Sequence, residues 1–261
     1  MAGEKLALIT GASSGIGAAT ARLLGKQGYR VVLIGRRREA LEAVAADVGE
    51  GAIVEPLDAS DGDAVMAMAA RVTEAHGVPD LIINSAGAGK WKRIEHTPPD
   101  EAVAMMGAPH FAAFFTTHAF MKGMLDRGSG VLIHISSPVS LFTWASSVGY
   151  ASSRWAMRGM HEALLYDLRG TGVHSCHAVF GKVSSEYFEH NPNSEERIPK
   201  IARTVKTLTP EECAEILARL ARHPRKQGIY PFMMRFYYWM YLVAPWAVRA
   251  LLRATGYKGR D

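Results

Sequence analysis

Cysteine is nearly absent from this chain, whose 261 residues hold only Cys176 and Cys213. Neither belongs to a CxxC pair, so a disulfide framework, a zinc ribbon and a thiol-exchange motif are excluded and the expected compartment is a reducing cytoplasm. No apolar run is long and uninterrupted enough to suggest a membrane span. No signal peptide is expected either, because Lys5-Leu6-Ala7-Leu8-Ile9-Thr10 leads straight into a glycine-rich turn. Linkers rich in Pro, Gly or Ser and repeats of fixed period are missing too, which makes 1–261 one domain by expectation. Charge of one sign is scarce: 30 Lys and Arg against 25 Asp and Glu leave a net +5. That excess is too small and scattered for nucleic acid, yet it suits a phosphorylated ligand or an anionic lipid surface.

What is present suits a folded domain. Hydrophobic residues make up 48% and charged residues 21%, enough for a sizeable core and incompatible with disorder or a collagen-like chain. Short apolar runs at 6–10, 30–34, 52–55, 81–84, 131–136 and 173–179 alternate with amphipathic stretches at 15–28, 38–48, 61–76, 98–126, 148–170 and 209–222. Strands apolar on both faces, each followed by a crossover helix, predict an α/β fold: a doubly wound, Rossmann-like domain on a mostly parallel sheet. Region 182–209 breaks the rhythm with Pro192, Pro199 and several charges. It follows a strand directly, and in open α/β sheets ligands bind beyond the strands' carboxyl ends, so a lid is expected there, with an irregular surface connection as the alternative.

Between the first strand and first helix stands Thr10-Gly11-Ala12-Ser13-Ser14-Gly15-Ile16-Gly17. Glycines permit a tight turn and close approach of backbone to a pyrophosphate, and the following helix offers it unpaired N–H groups. The second strand ends in Gly35-Arg36-Arg37-Arg38. An acidic residue there would bind the ribose of NAD, whereas arginine pairs with the 2′-phosphate of NADP, so NADP is the expected cofactor. The alternative is that the arginines merely cap the solvated start of the next helix. After the third strand, Asp58 and Ala59 are candidates for the adenine end, although an Asp at such a junction also serves as a helix cap.

These motifs resemble those of the short-chain dehydrogenase/reductase family. The carriers are the segment 10–17, Asn84-Ser85-Ala86-Gly87, Ser136-Ser137 and Tyr150-Ala151-Ser152-Ser153-Arg154, with Phe180-Gly181-Lys182-Val183-Ser184-Ser185 standing for the family's segment beside the nicotinamide. The resemblance implies a sheet of about seven strands and a nicotinamide cofactor. It implies cofactor contacts from Gly11, Ser13, Ser14, Gly15, Ile16, Gly17, Asn84, Ala86, Gly87, Gly181 and Val183. Ser137 would orient a substrate carbonyl and Tyr150 would act as general acid or base. It also implies a homodimer or homotetramer built through the helices at 98–126 and 148–170.

Two departures stand out. The family's Lys one turn after the Tyr is here Arg154, which keeps the positive charge needed to favour a phenolate and still binds a ribose hydroxyl, but does not deprotonate. The family's catalytic Asn falls on Pro109, which has no side-chain partner for a relay water; His110 beside it is a possible substitute. The expected activity is NADP(H)-dependent reduction of a carbonyl, or oxidation of a secondary alcohol, on a hydrophobic small molecule. Non-redox chemistry such as isomerisation, cyclisation or elimination, and NADP binding without turnover, are the alternatives.

Phe142, Trp144, Trp155, Tyr187 and Phe188 are candidates for an apolar substrate pocket. His174 and Cys176 share a strand face while His177 points away, so no metal is expected. The aromatic-rich segment 229–253 is interrupted by Arg235, Pro245 and Arg249, which argues against a membrane span. It suits peripheral membrane contact or burial against the core or another subunit.

Overall fold

The computed structural model describes residues 4–87, 89–185, 187, 191 and 194–259. Seven strands form one parallel sheet: β1 (Leu6–Thr10), β2 (Arg30–Gly35), β3 (Ala52–Pro56), β4 (Leu81–Asn84), β5 (Gly130–Ser136), β6 (Val173–Phe180) and β7 (Gln227–Tyr230). Their order is β3-β2-β1-β4-β5-β6-β7. The Rossmann-like topology expected from the sequence is therefore present. β1 pairs with β2 on one side and β4 on the other, so the direction of winding reverses at β1 and opens a crevice beyond the strands' carboxyl ends.

Alternation along each strand divides the core between two layers. Ala7, Ile9, Leu33 and Ile133 pack against helices α1 (Gly15–Lys26), α2 (Arg38–Val48) and α7 (Pro210–Arg222) through Leu24, Leu41 and Leu217. Leu8, Val32, Ile82 and Leu132 pack against α3 (Gly62–His76) and α5 (Ala112–Arg127) through Met68, Val72, Phe120 and Met124. Each such fully buried Val, Leu, Ile, Met or Phe side chain contributes about 1.5–3 kcal/mol before the entropy of ordering is subtracted.

Three elements differ from the sequence reading. The helix expected over 98–126 is divided into α4 (Pro99–Met106), a π-turn at Gly107–Phe111 and α5. Pro109 lies in that wide turn, which relieves the clash of its ring with the preceding turn and leaves no unmet N–H. β7 has only four residues, including Gln227 and Gly228, and so produces no apolar run. After the long α6 (Val148–Asp167), the C-terminal aromatic stretch forms two helices, α8 (Phe232–Val243) and α9 (Pro245–Thr255), with Pro245 in the first turn of the second. Among the described residues no helix is long and apolar enough to cross a membrane.

Candidate active site

One continuous cavity of about 740 Å³ opens at the reversal point, beside the carboxyl ends of β1, β4 and β5. Gly11 begins its floor with φ +66, and a Cβ there would stand 2.9 Å from the backbone of Ala86. Thr10 locks this turn to the next: its Oγ1 accepts from the N–H groups of Ser85 and Ala86 at 3.1 and 3.0 Å. Ser13, Ser14, Gly15 and Ile16 line the cavity at the start of α1. That helix has neither a side-chain cap nor an acidic residue in its first turn, so its free N–H groups and positive end suit an anion. Gly17 does not line the cavity. A Cβ there would lie 2.2 Å from the Gly11 carbonyl oxygen, so Gly17 serves the packing of α1 against the turn.

Arg36 and Arg37 line the cavity, whereas Arg38 turns along α2 to pair with Glu42 at 3.6 Å. Asp58 and Ala59 are also in the wall. Asp58 is not the cap of α3, a role taken by Asp61, which accepts from Ala64 N at 3.1 Å. Burial works to raise the Asp58 carboxyl, but hydrogen bonds from Ser60 and the charge of Arg36 outweigh it and hold the group below its ordinary value. Asp58 is therefore an ionised acceptor beside a cation.

Ala86 and Gly87 line the cavity, but Asn84 is buried beneath it. Its Nδ2 donates to Thr117 Oγ1 at 3.3 Å and lies 3.1 Å from His134 Nδ1. Asn84 thus ties β4 to α5 and β5 instead of reaching the cavity.

The three residues expected to carry the chemistry meet in the same space. Ser137, Tyr150 and Arg154 all line it. Ser137 stands where β5 ends, its carbonyl fixed by the Ser140 N–H and hydroxyl at 3.0 and 2.7 Å. Tyr150 and Arg154 lie one turn apart on α6, sharing a face, and are only 5% and 6% exposed. The guanidinium carbon sits 5.0 Å from the Tyr150 ring centroid. Arg154 is anchored by a 3.1 Å hydrogen bond to the Ile135 carbonyl, and it packs so closely on Gly87 that a Cβ there would meet Nη2 at 2.7 Å. A buried cation thus faces the phenol ring.

Gly181 and Val183 lie in the wall with Phe180. From 182–209, Val183 and Leu208 form a parallel bridge, so the segment leaves and returns at one point. Its described residues Tyr187, Ile198, Pro199, Ile201 and Val205 line the cavity.

Of the expected pocket aromatics, Phe142, Trp144 and Tyr187 line the cavity. Trp155 does not: on α6 it faces away from Tyr150, donating its indole N–H to the Val139 carbonyl at 2.8 Å and stacking on Arg158. Phe188 and Pro192 lie outside the described residues. His110 is half-buried against Phe111 and Phe114, away from the cavity wall, and burial depresses its basicity. On β6, His174 is exposed while Cys176 and His177 are buried.

Sequence reasoning missed Gly89 and Trp91. Trp91 stacks on Trp144 and packs tilted against Tyr150, with centroids 5.4 and 5.0 Å apart, and donates its N–H to Tyr187 Oη at 3.1 Å. Tyr187 in turn donates to the Gly89 carbonyl at 3.2 Å. Burial, reinforced by the nearby Tyr150, pushes the Tyr187 phenol far above its usual range and keeps it a neutral donor. The loop at 89–91 carries no motif; a tryptophan shortly after the Asn84–Gly87 turn was the available signal.

The pattern of the family described as short chain dehydrogenase matches residues 5–196. An uncharacterized oxidoreductase of Staphylococcus aureus (strain USA300) is 29% identical over 234 residues, covering 89% of this chain and 97% of that protein. A 3beta-hydroxysteroid dehydrogenase of Mediterraneibacter gnavus is 33% identical over 181 residues, 67% of this chain and 64% of that one. Among solved structures, a metagenomic short-chain oxidoreductase in complex with NADP is 30% identical with a TM-score of 0.71, covering 87% of this chain and 94% of that chain. The match over most of the chain, the parallel sheet and the meeting of Ser137 with Tyr150 agree on one assignment: the chain belongs to the short-chain dehydrogenase family of oxidoreductases.

Proposed function

We propose that the protein is an NADP(H)-dependent reductase of a carbonyl on a hydrophobic small molecule, working in reverse on the secondary alcohol. The observation that carries this reading is the convergence of Ser137, Tyr150 and Arg154 in one cavity with the glycine turn and two arginines. The residues fit a phosphorylated dinucleotide: a turn too tight for a Cβ at Gly11, an uncapped helix N-terminus, and Arg36 with Arg37 for a 2′-phosphate. Asp58 and Ala59 would flank the adenosine end, and Ala86, Gly87, Gly181 and Val183 the nicotinamide half. When bound, the cofactor supplies or accepts the hydride.

The protein's own part is to orient the carbonyl and deliver a proton. Ser137 donates a hydrogen bond to the carbonyl oxygen, polarising it. Tyr150 gives its phenolic proton to the forming alkoxide, and Arg154 stabilises the phenolate left behind. Arginine does not pass on a proton at neutral pH, so Tyr150 regains its proton from the cavity side. Trp91, Trp144, Phe142 and Tyr187 exclude water and offer apolar surface, which favours a lipophilic substrate. The relative named as a hydroxysteroid dehydrogenase supports that class. The segment 182–209 acts as a lid on the substrate end. The exposed Val103, Phe111, Phe114 and Trp155 on α4, the π-turn, α5 and α6 support a homodimer or homotetramer.

The test is NADPH oxidation against lipophilic ketones by wild type and Tyr150→Phe, with product mass recorded. The expected result is a product two hydrogens heavier and a loss of about 10²–10⁴ in kcat for the variant, the usual worth of a positioned general acid. Equal rates would remove Tyr150 from the mechanism, and a product isomeric with its substrate would replace reduction with non-redox chemistry.

A further inference from the structure

The outward face of α8 is apolar where a surface helix is ordinarily polar. Phe232, Phe236, Trp239 and Val243 fall on one stripe at helical spacing, and they are 67%, 42%, 57% and 67% exposed. Leu242 beside them and Trp246 at the start of α9 continue the patch, Trp246 at 75% exposure. The inner face carries the opposite pattern. Met234 is buried there, and the tyrosine hydroxyls are engaged: Tyr237 with Thr204 Oγ1 at 2.8 Å, Tyr238 accepting from Arg158 at 3.4 Å, and Tyr241 from Arg249 at 3.3 Å. Polar tips are thus held inward while large apolar surface is left outside, an arrangement that water penalises and that marks a docking face.

Charge selects the partner. Arg235, Arg249, Arg253 and Lys258 are all exposed on or next to these helices, and the chain contains no Asp or Glu between Glu215 and Asp261. The Arg235 guanidinium lies 5.1 Å from the Phe232 ring, so cation and apolar surface are adjacent. Two-fold pairing of this face with a second copy would bring these cations together with no carboxylate between them. An anionic bilayer meets both demands, taking the aromatic stripe at its headgroup boundary and the arginines at its phosphates. With 12 residues, α8 is about 18 Å long against a hydrocarbon core of about 30 Å, so it lies in the interface plane and does not span.

We propose that α8 and the start of α9 dock the protein on an anionic phospholipid surface. The inner sides of the same helices, through Met234, Tyr237, Val248 and Leu252, wall the cavity described above. The bilayer would then lie just outside the substrate end, and a lipophilic ketone dissolved in it would reach the site without crossing bulk water. That delivery route rests on the reductase reading; the docking does not.

Flotation of the full-length protein with vesicles tests it, using phosphatidylcholine alone and a mixture of about three parts phosphatidylcholine to one part phosphatidylglycerol. Wild type is expected to float with the anionic vesicles and to lose several-fold in binding as salt rises from about 0.1 M to about 0.5 M. Phe236→Glu with Trp239→Glu is expected to lose about tenfold or more on those vesicles. Arg235→Gln with Arg253→Gln is expected to lose several-fold on anionic vesicles only. Because the substituted residues are exposed, unchanged melting temperatures are expected and certify folding. Wild type that stays with the dense fraction, or a glutamate variant that floats like wild type, overturns the proposal. So does a glutamate variant that lowers the oligomer mass by light scattering, which would give the face to a second copy. Flotation as expected in a protein that reduces no ketone would leave the docking standing and remove the reductase reading.

Discussion

Tyr150 is held by its neighbours as much as by its own helix. Trp91 covers one side of the ring, Arg154 stands over it, and a Cβ on Gly89 would fall 2.2 Å from Tyr150 Cδ2. Glycine at position 89 is thus a spacing requirement for the phenol. Gly89→Ala is expected to displace the ring and lower kcat/KM by about a hundredfold, the scale of loss that an ångström of misplacement produces. NADP affinity should hardly change, because position 89 is not part of the cofactor wall, and steady-state kinetics with a cofactor titration checks both. Unchanged kinetics would mean that the loop moves aside and the ring stays. At this scale the sequence was informative where one motif contained its own geometry. Tyr150 and Arg154 are one turn apart on a helix, so their juxtaposition follows from α-helical spacing. The contacts of Gly89, Trp91 and Tyr187 join loops almost a hundred residues apart, and no local pattern encodes such a meeting.

Elements were legible to the extent that burial left a periodic trace. β1, buried along its whole length, and α7, with one strongly apolar face, appear in the sequence almost at their observed bounds. β7 leaves no trace, because a short edge strand needs little apolar surface. The π-turn at 107–111 depends on backbone relaxation around Pro109, which side-chain periodicity does not report. The start of α7 shows how a local signal fixes an element. Thr209 Oγ1 accepts from Glu212 N at 3.2 Å while the Glu212 carboxylate accepts from Thr209 N at 2.9 Å, a reciprocal capping box. Hydrogen bonding from Lys206 and then from Thr209 keeps the Glu212 carboxyl below its ordinary value. Thr209→Ala removes the first of the two cap bonds and is expected to cost about 1 kcal/mol, readable as a fall in Tm. Activity at low temperature should persist, because α7 packs on α1 and the sheet and not on the cavity wall; a Tm equal to wild type would show the helix start to be held by its core contacts alone.

The molecule as a whole carries a set of buried bases that no motif announces. His134 on β5, His161 on α6 and His177 on β6 cluster in the interior, His161 meeting His134 edge-on and stacking on His177 with ring centroids 6.0 and 5.5 Å apart. Burial lowers all three, to about 3 for His134, about 4 for His161 and about 2 for His177, and the mutual charge of the histidines adds to the effect at His134 and His177. The unfolded chain binds these protons near pH 6.5. Above that pH neither state holds them and stability is at its plateau. Below it the unfolded chain takes up protons that the folded chain refuses, so stability falls with pH until His161 begins to protonate in place near pH 4. Each histidine contributes about 1.4 kcal/mol per pH unit in that window, about 4 kcal/mol for the three, or roughly ten degrees of Tm. His177 gives the sharpest check, because neither of its nitrogens has a hydrogen-bond partner among the described residues. His177→Phe removes one titrating group and two unmet polar atoms, so thermal melts across pH 7 to pH 5 should show a slope about a third shallower, with a plateau at least as high unless the larger ring strains β6. A variant slope equal to that of wild type would mean that His177 takes up its proton equally in both states, and the acid sensitivity between pH 7 and pH 5 would then rest on His134 and His161.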